Sequence, residues 1–102
     1  MSEFGFIDSD QLMLSIERYM VLDIRDRQSF DSGHISGAIH INSDNVNNFI
    51  DENDLSTPIV VCCYHGNSSK SAAQLLVDNG FEDVYSLNGG YEGWKESQKN
   101  IL

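Results

Sequence analysis

The chain has 102 residues, 40% of them hydrophobic, with 16 acidic and only six basic side chains, for a formal net charge of −10. That length predicts one domain, residues 1–102, with a modest core, and too few Lys and Arg are present to bind a nucleic-acid backbone. No apolar run approaches the ~20 residues of a membrane span, and Met1-Ser2-Glu3-Phe4-Gly5 lacks the basic and apolar regions of a signal peptide, so the expected location is the cytoplasm.

Residues 4–7 read as a short opening strand. Asp8 is placed to cap a helix over about 9–19, whose apolar positions Leu12, Met13, Ile16 and Tyr19 recur at three- and four-residue intervals. Residues 20–24 form a second strand, apolar enough to be covered on both faces. It leads into a helical turn at 28–30 closed by Gly33, where a permissive backbone is expected. Arg25 at this strand's end either reaches a substrate or forms a structural ion pair with Asp23, and the ion pair is the favoured reading. Residues 35–41 give a turn and a third strand, and Asn42 or Ser43 is placed to cap a helix over 46–50. After Thr57-Pro58, residues 59–62 make the most apolar strand, which belongs mid-sheet. A helix over about 69–78 stops at Asn79-Gly80, residues 84–87 are the last strand, and Asn88-Gly89-Gly90 turns into a helix over about 91–99 with Tyr91 and Trp94 inward. Strands alternating with helices predict an α/β fold, a mainly parallel central sheet of about five strands flanked by helices. Such sheets bind ligands outside the carboxyl ends of their strands.

Cys63 sits at such an end. In Val60-Val61-Cys62-Cys63-Tyr64-His65-Gly66-Asn67-Ser68-Ser69-Lys70 an apolar strand runs into a small polar loop that opens a helix. Unpaired N–H groups converge there and the helix dipole adds positive potential. A thiol so placed is expected to ionise below its ordinary range, and the amides can hold an anionic substrate or a charged sulfur species. Strand alternation sends the two cysteines to opposite faces, so Cys62 is assigned to the core and Cys63 to chemistry. Adjacent cysteines make neither a disulfide framework nor a metal site, and no metal or cofactor is expected. His65 has no Asp or Asn placed to orient it as a base. Ser68 and Ser69 either cap the helix or hydrogen-bond an oxyanion; Tyr64 either walls the pocket or faces solvent; Lys70 reads as a solvated side chain. His34 and His40 lack partners at metal-ligand spacing and read as structural. A cysteine-dependent phosphatase needs an arginine six residues past its nucleophile to grip phosphate in two places. That position is Ser69, and no arginine follows Arg27, which disfavours phosphatase and arsenate reductase chemistry.

These residues resemble the rhodanese family. Val21-Leu22-Asp23-Ile24-Arg25 through Phe30, Gly33-His34-Ile35, Gly37-Ala38 and Ile41 look like its first signature. Cys63-Tyr64-His65-Gly66-Asn67-Ser68-Ser69-Lys70 resembles the active loop of its small single-domain members, and Asn88-Gly89-Gly90-Tyr91-Glu92-Gly93-Trp94 resembles its closing Gly-Gly-aromatic-x-x-Trp pattern. The resemblance spans nearly the whole chain in the right order. It implies a thiosulfate sulfurtransferase with Cys63 as the catalytic residue and Tyr64, His65, Gly66, Asn67, Ser68 and Ser69 around the substrate. It further implies that Cys63 takes the outer sulfur of thiosulfate as a persulfide, and that cyanide or a dithiol protein such as thioredoxin removes it. The loop has no cationic side chain between Cys63 and Ser69 except a protonated His65, so weak thiosulfate binding is expected. A relay module that keeps the fold and hands persulfide sulfur to a protein partner fits the same residues. A monomer is the default expectation, with a dimer as the alternative.

Overall fold

The computed structural model describes residues 3–99. Five strands, β1 (Gly5–Ile7), β2 (Met20–Asp23), β3 (Ile39–His40), β4 (Ile59–Cys62) and β5 (Val84–Leu87), form one sheet in the order β1-β5-β4-β2-β3. Every pairing is parallel. The helices are α1 (Ser9–Leu14), α2 (Arg27–Ser32), α3 (Val46–Glu52), α4 (Ser68–Asp78) and α5 (Gly90–Lys99). None of the described helices is long and apolar enough to cross a membrane.

β4 is central because its sequence permits nothing else: Ile59, Val60, Val61 and Cys62 are all fully buried. Alternation divides them between two cores. Ile59 and Val61 join Leu22, Val84 and Phe81 beneath α3 and α4, through Phe49, Ala73, Leu76 and Val77. Val60 and Cys62 join Val21, Leu87 and Leu12 on the other face, where Tyr91 and Trp94 of α5 pack. Each such aliphatic side chain contributes about 1.5–3 kcal/mol by leaving water. The chain therefore leaves β4 for one face and β5 for the other. The segments that follow these neighbouring strands meet at their carboxyl ends, the side on which such sheets bind ligands.

Three local expectations are corrected. The helix over 9–19 breaks at Ser15 (φ −131°), so α1 ends at Leu14 and a separate 3-10 turn spans Ile16–Arg18. The chain has to double back so that the Met20 N–H reaches the Pro58 carbonyl (2.9 Å) and starts β2 beside β4, with β5 and β4 between it and β1. Gly33 does not need the permissive backbone expected of it; its φ of 163° is extended. Glycine suits it because a Cβ would lie 3.0 Å from the Tyr91 hydroxyl. Neither Asn42 nor Ser43 is the N-cap of α3, which is Asn45. Asn42 Oδ1 instead accepts the N–H groups of Asp44 and Asn45 and shapes the turn before the helix. The Asn79-Gly80 stop is as expected, with Gly80 at φ +101° and the Phe81 N–H donating back to the Leu76 carbonyl at 3.1 Å.

Candidate active site

Cys63 is the first residue beyond β4, and its Sγ is a meeting point. The Gly66 N–H donates to it at 3.1 Å and the Ser69 N–H at 3.3 Å, while Ser69 Oγ lies 3.4 Å away. Gly66 reaches the sulfur because the loop turns through φ +94° there, a conformation that favours glycine. Ser69 reaches it from the first turn of α4, where backbone N–H groups have no helical partner. Burial opposes ionisation of this thiol. The Ser69 hydroxyl, the N–H groups of Ser69 and Gly66, and the nearby His65 N–H outweigh that penalty, and the pKa lies below its ordinary value.

Cys62 has the opposite environment. Its side chain is buried in the apolar core between sheet and α5, and burial, reinforced by the Asp23 charge, pushes its pKa far up. One residue of strand alternation separates an inert thiol from an activated one.

The loop's carbonyl side is tied to α5. The Tyr91 N–H donates to the Cys63 carbonyl at 2.7 Å and the Glu92 N–H to the Tyr64 carbonyl at 3.1 Å, using first-turn donors of that helix. This contact needs Gly90, which has φ +58° and no room for a side chain: a Cβ would sit 2.5 Å from the Cys63 carbonyl oxygen.

Behind α5 stands the Asp23–Arg25 pair. Arg25 Nη2 donates to Asp23 Oδ2 at 2.7 Å, and Nε donates to both carboxylate oxygens at 3.0 and 3.1 Å. Nη2 also donates to the Gly33 carbonyl at 2.7 Å. Both side chains are buried, and the guanidinium lies over the Tyr91 ring at 4.0 Å. Arg25 thus braces the helix that holds the loop, in keeping with the ion-pair reading.

Of the other residues singled out from sequence, Tyr64 turns away from the sulfur; its hydroxyl pairs with Ser29 Oγ of α2 at 3.0 Å. With Arg25, Ser29, Ser32, Tyr91 and Lys95 it borders a cleft of about 350 Å³ beside the loop. His65, Asn67, Ser68 and Lys70 are exposed. Neither Ser68 nor Ser69 caps α4, whose N-cap is Asn67; the Ser69 hydroxyl is turned to the sulfur instead. His34 stacks on Phe30 at 3.8 Å, and His40 Nε2 lies 2.6 Å from the Arg25 carbonyl.

One neighbour escaped the sequence reading. Ser86 of β5 places its Oγ 2.7 Å from Ser69 Oγ, deep in the protein. It lies 17 residues further along the chain than Ser69, and the one available sign was a small polar residue within an apolar strand.

Comparison with known proteins adds descent to this geometry. Residues 8–97 match the family model described as Rhodanese-like domain. The chain is 46% identical over 99 residues to a protein of Shewanella oneidensis named thiosulfate sulfurtransferase GlpE, covering 95% of this chain and 98% of that one. It is 50% identical over 98 residues to the protein of that name from Pseudomonas entomophila, covering 95% and 90%. Among solved structures it resembles a rhodanese-related protein from Thermoplasma volcanium, with a TM-score of 0.82 at 26% identity, over 92% of this chain and 93% of the other. A parallel five-stranded sheet with a cysteine loop at its centre, a family match over most of the sequence and near-half identity to full-length relatives lead to one assignment: the chain belongs to the rhodanese-like domain family.

Proposed function

We propose that this chain is a thiosulfate sulfurtransferase that carries sulfur on Cys63. The observation that carries the reading is the convergence of two N–H groups and one hydroxyl on a desolvated sulfur. The names borne by its relatives support thiosulfate as the donor.

The Cys63 thiolate attacks the outer sulfur of thiosulfate. A Cys63–sulfur bond forms, the sulfur–sulfur bond of thiosulfate breaks, and its electron pair leaves with sulfite. The product is a Cys63 persulfide anion. His65, Gly66, Asn67, Ser68 and Ser69 surround the donor, Tyr64 borders the cleft beside it, and main-chain N–H groups at the start of α4 supply the positive potential that side chains do not. In the second half-reaction cyanide attacks the outer sulfur, thiocyanate leaves, and the thiolate returns. A dithiol acceptor of the thioredoxin type takes the sulfur on one thiol; its second thiol then closes a disulfide and expels hydrosulfide. Each half-reaction starts and ends with the group the other needs, so ping-pong kinetics are expected. The cleft beside Tyr64 leaves room for an acceptor larger than cyanide.

The test is intact mass after mixing with thiosulfate, together with cyanide-dependent turnover, for the parent protein, Cys63→Ser and Cys62→Ser. Gain of one sulfur atom and turnover are expected in the parent and in Cys62→Ser, and neither in Cys63→Ser. A parent that gains no mass and shows no turnover would overturn thiosulfate as donor. Mass gain with transfer to a protein dithiol, but no turnover by small acceptors, would move the assignment to a relay.

A further inference from the structure

We propose that Ser86 is a positioning residue for Cys63: it sets the direction of the Ser69 hydroxyl so that this hydroxyl donates to the sulfur. The inference rests on the reading of Cys63 as the reactive thiolate.

Three groups, the Cys63 thiol and the Ser69 and Ser86 hydroxyls, share their protons and acceptors in a closed space. Ser69 Oγ lies 3.4 Å from Cys63 Sγ and 2.7 Å from Ser86 Oγ. Ser69 and Ser86 are 0% and 1% exposed, which shields both hydroxyls from bulk water. Among the described residues the Ser86 hydroxyl has no hydrogen bond besides the one to Ser69, and the Ser69 hydroxyl none besides those to Ser86 and the sulfur.

Two orientations of this chain are possible. Running away from the sulfur, the thiol donates to Ser69 and Ser69 donates to Ser86, which strands the Ser86 proton in the interior without an acceptor. Running toward the sulfur, Ser86 donates to Ser69, Ser69 donates to the thiolate, and every proton has an acceptor. Stranding a buried donor is the costly outcome, and successive donors polarise one another. The satisfied orientation is therefore the one that belongs to the ionised cysteine. Ser86 reaches the sulfur only through Ser69, because it sits on β5 while Ser69 rides on α4 over the same face of the sheet.

The test is the pH dependence of Cys63 alkylation by iodoacetamide, with the site of labelling read by mass. It requires no sulfur donor, so it stands apart from the thiosulfate experiment. Ser86→Ala is expected to move the profile toward higher pH by about half to one unit, and Ser69→Ala by more. Adding Ser86→Ala to Ser69→Ala is expected to move it no further, since the route through Ser69 is already gone. Ser86→Cys keeps the size with a weaker donor and is expected to give a fraction of the alanine shift; it serves if the alanine variant does not fold. A Ser86→Ala or Ser86→Cys profile that coincides with the parent's would overturn the proposal. So would an equal Ser86→Ala shift with and without Ser69, which would mark a purely structural disturbance. A parent Cys63 that ionises like a free thiol would instead overturn the underlying reading.

Discussion

At position 90 a methyl group would meet atoms that cannot swing aside. The Cys63 carbonyl oxygen would be 2.5 Å away, and the Tyr64 carbonyl carbon and oxygen 2.6 Å away, all of them backbone. Gly37 makes a useful contrast, because its φ of +84° is as unfavourable for other residues but nothing lies within 4 Å of the place a Cβ would occupy. Gly37→Ala therefore carries conformational strain alone, about 1–2 kcal/mol. Gly90→Ala carries similar strain plus a collision with the loop, and is expected to cost about 2–4 kcal/mol in total. It also displaces the Tyr91 N–H from the Cys63 carbonyl, so cyanide-dependent turnover should fall at least tenfold, a loss not expected for Gly37→Ala. Urea unfolding and turnover of the two variants side by side check this. Equal effects on both readouts would mean that backbone conformation, rather than the close approach of α5 to the loop, is what Gly90 provides.

Among the elements, the decisive joint is between β2 and α5. Asp23 closes β2 and accepts three side-chain hydrogen bonds from Arg25, whose guanidinium lies on the Tyr91 ring of α5. The pair is buried, so its parts are not interchangeable with solvent. Asp23→Asn keeps the shape but leaves a guanidinium charge uncompensated, and is expected to destabilise the fold by about 3–5 kcal/mol. An Asp23→Asn/Arg25→Met double variant should recover part of that loss, because the stranded charge is gone. Chemical denaturation of the three proteins measures it; a loss below 1 kcal/mol for Asp23→Asn would mean that water reaches the pair. How much of this arrangement the sequence revealed depends on range. The split of Cys62 from Cys63 was legible, since period-two alternation is local and Val60-Val61 fixes its phase. That unpaired N–H groups converge at the loop was legible too, as a consequence of where α4 begins; that the Ser69 N–H is one of them was not. The break at Ser15 was not, because the 3.6-residue pattern of Leu12, Met13, Ile16 and Tyr19 continues through it. What interrupts the helix is the demand that Met20 enter the sheet beside Ile59. Ser86 and the stacking of Arg25 on Tyr91 were equally hidden, because both join residues that only the sheet order brings together.

For the whole molecule the question is how a chain of net charge −10 handles a dianion. The diffuse field of the protein repels thiosulfate as it approaches. On the proposed reading, binding itself falls to main-chain dipoles at the start of α4, which act over about 3 Å and are barely screened at contact. The loop offers no fixed positive side chain between Cys63 and Ser69, and Lys70 is exposed at its edge. Added salt shortens the reach of the repulsion to about 8–10 Å at ordinary ionic strength while leaving the contacts intact. The second-order rate constant kcat/KM for thiosulfate should therefore rise with sodium chloride between about 0.01 and 0.15 M, by roughly two- to fivefold. Turnover at saturating thiosulfate should change little, because the chemistry occurs after the approach. Steady-state kinetics at fixed pH across that range decide the matter. A kcat/KM that falls with salt would mean that a local cation, with Lys70 the nearest in sequence, steers the donor against the field of the rest. Lys70→Gln would then flatten the slope, whereas under the dipole account it leaves the rise with salt in place.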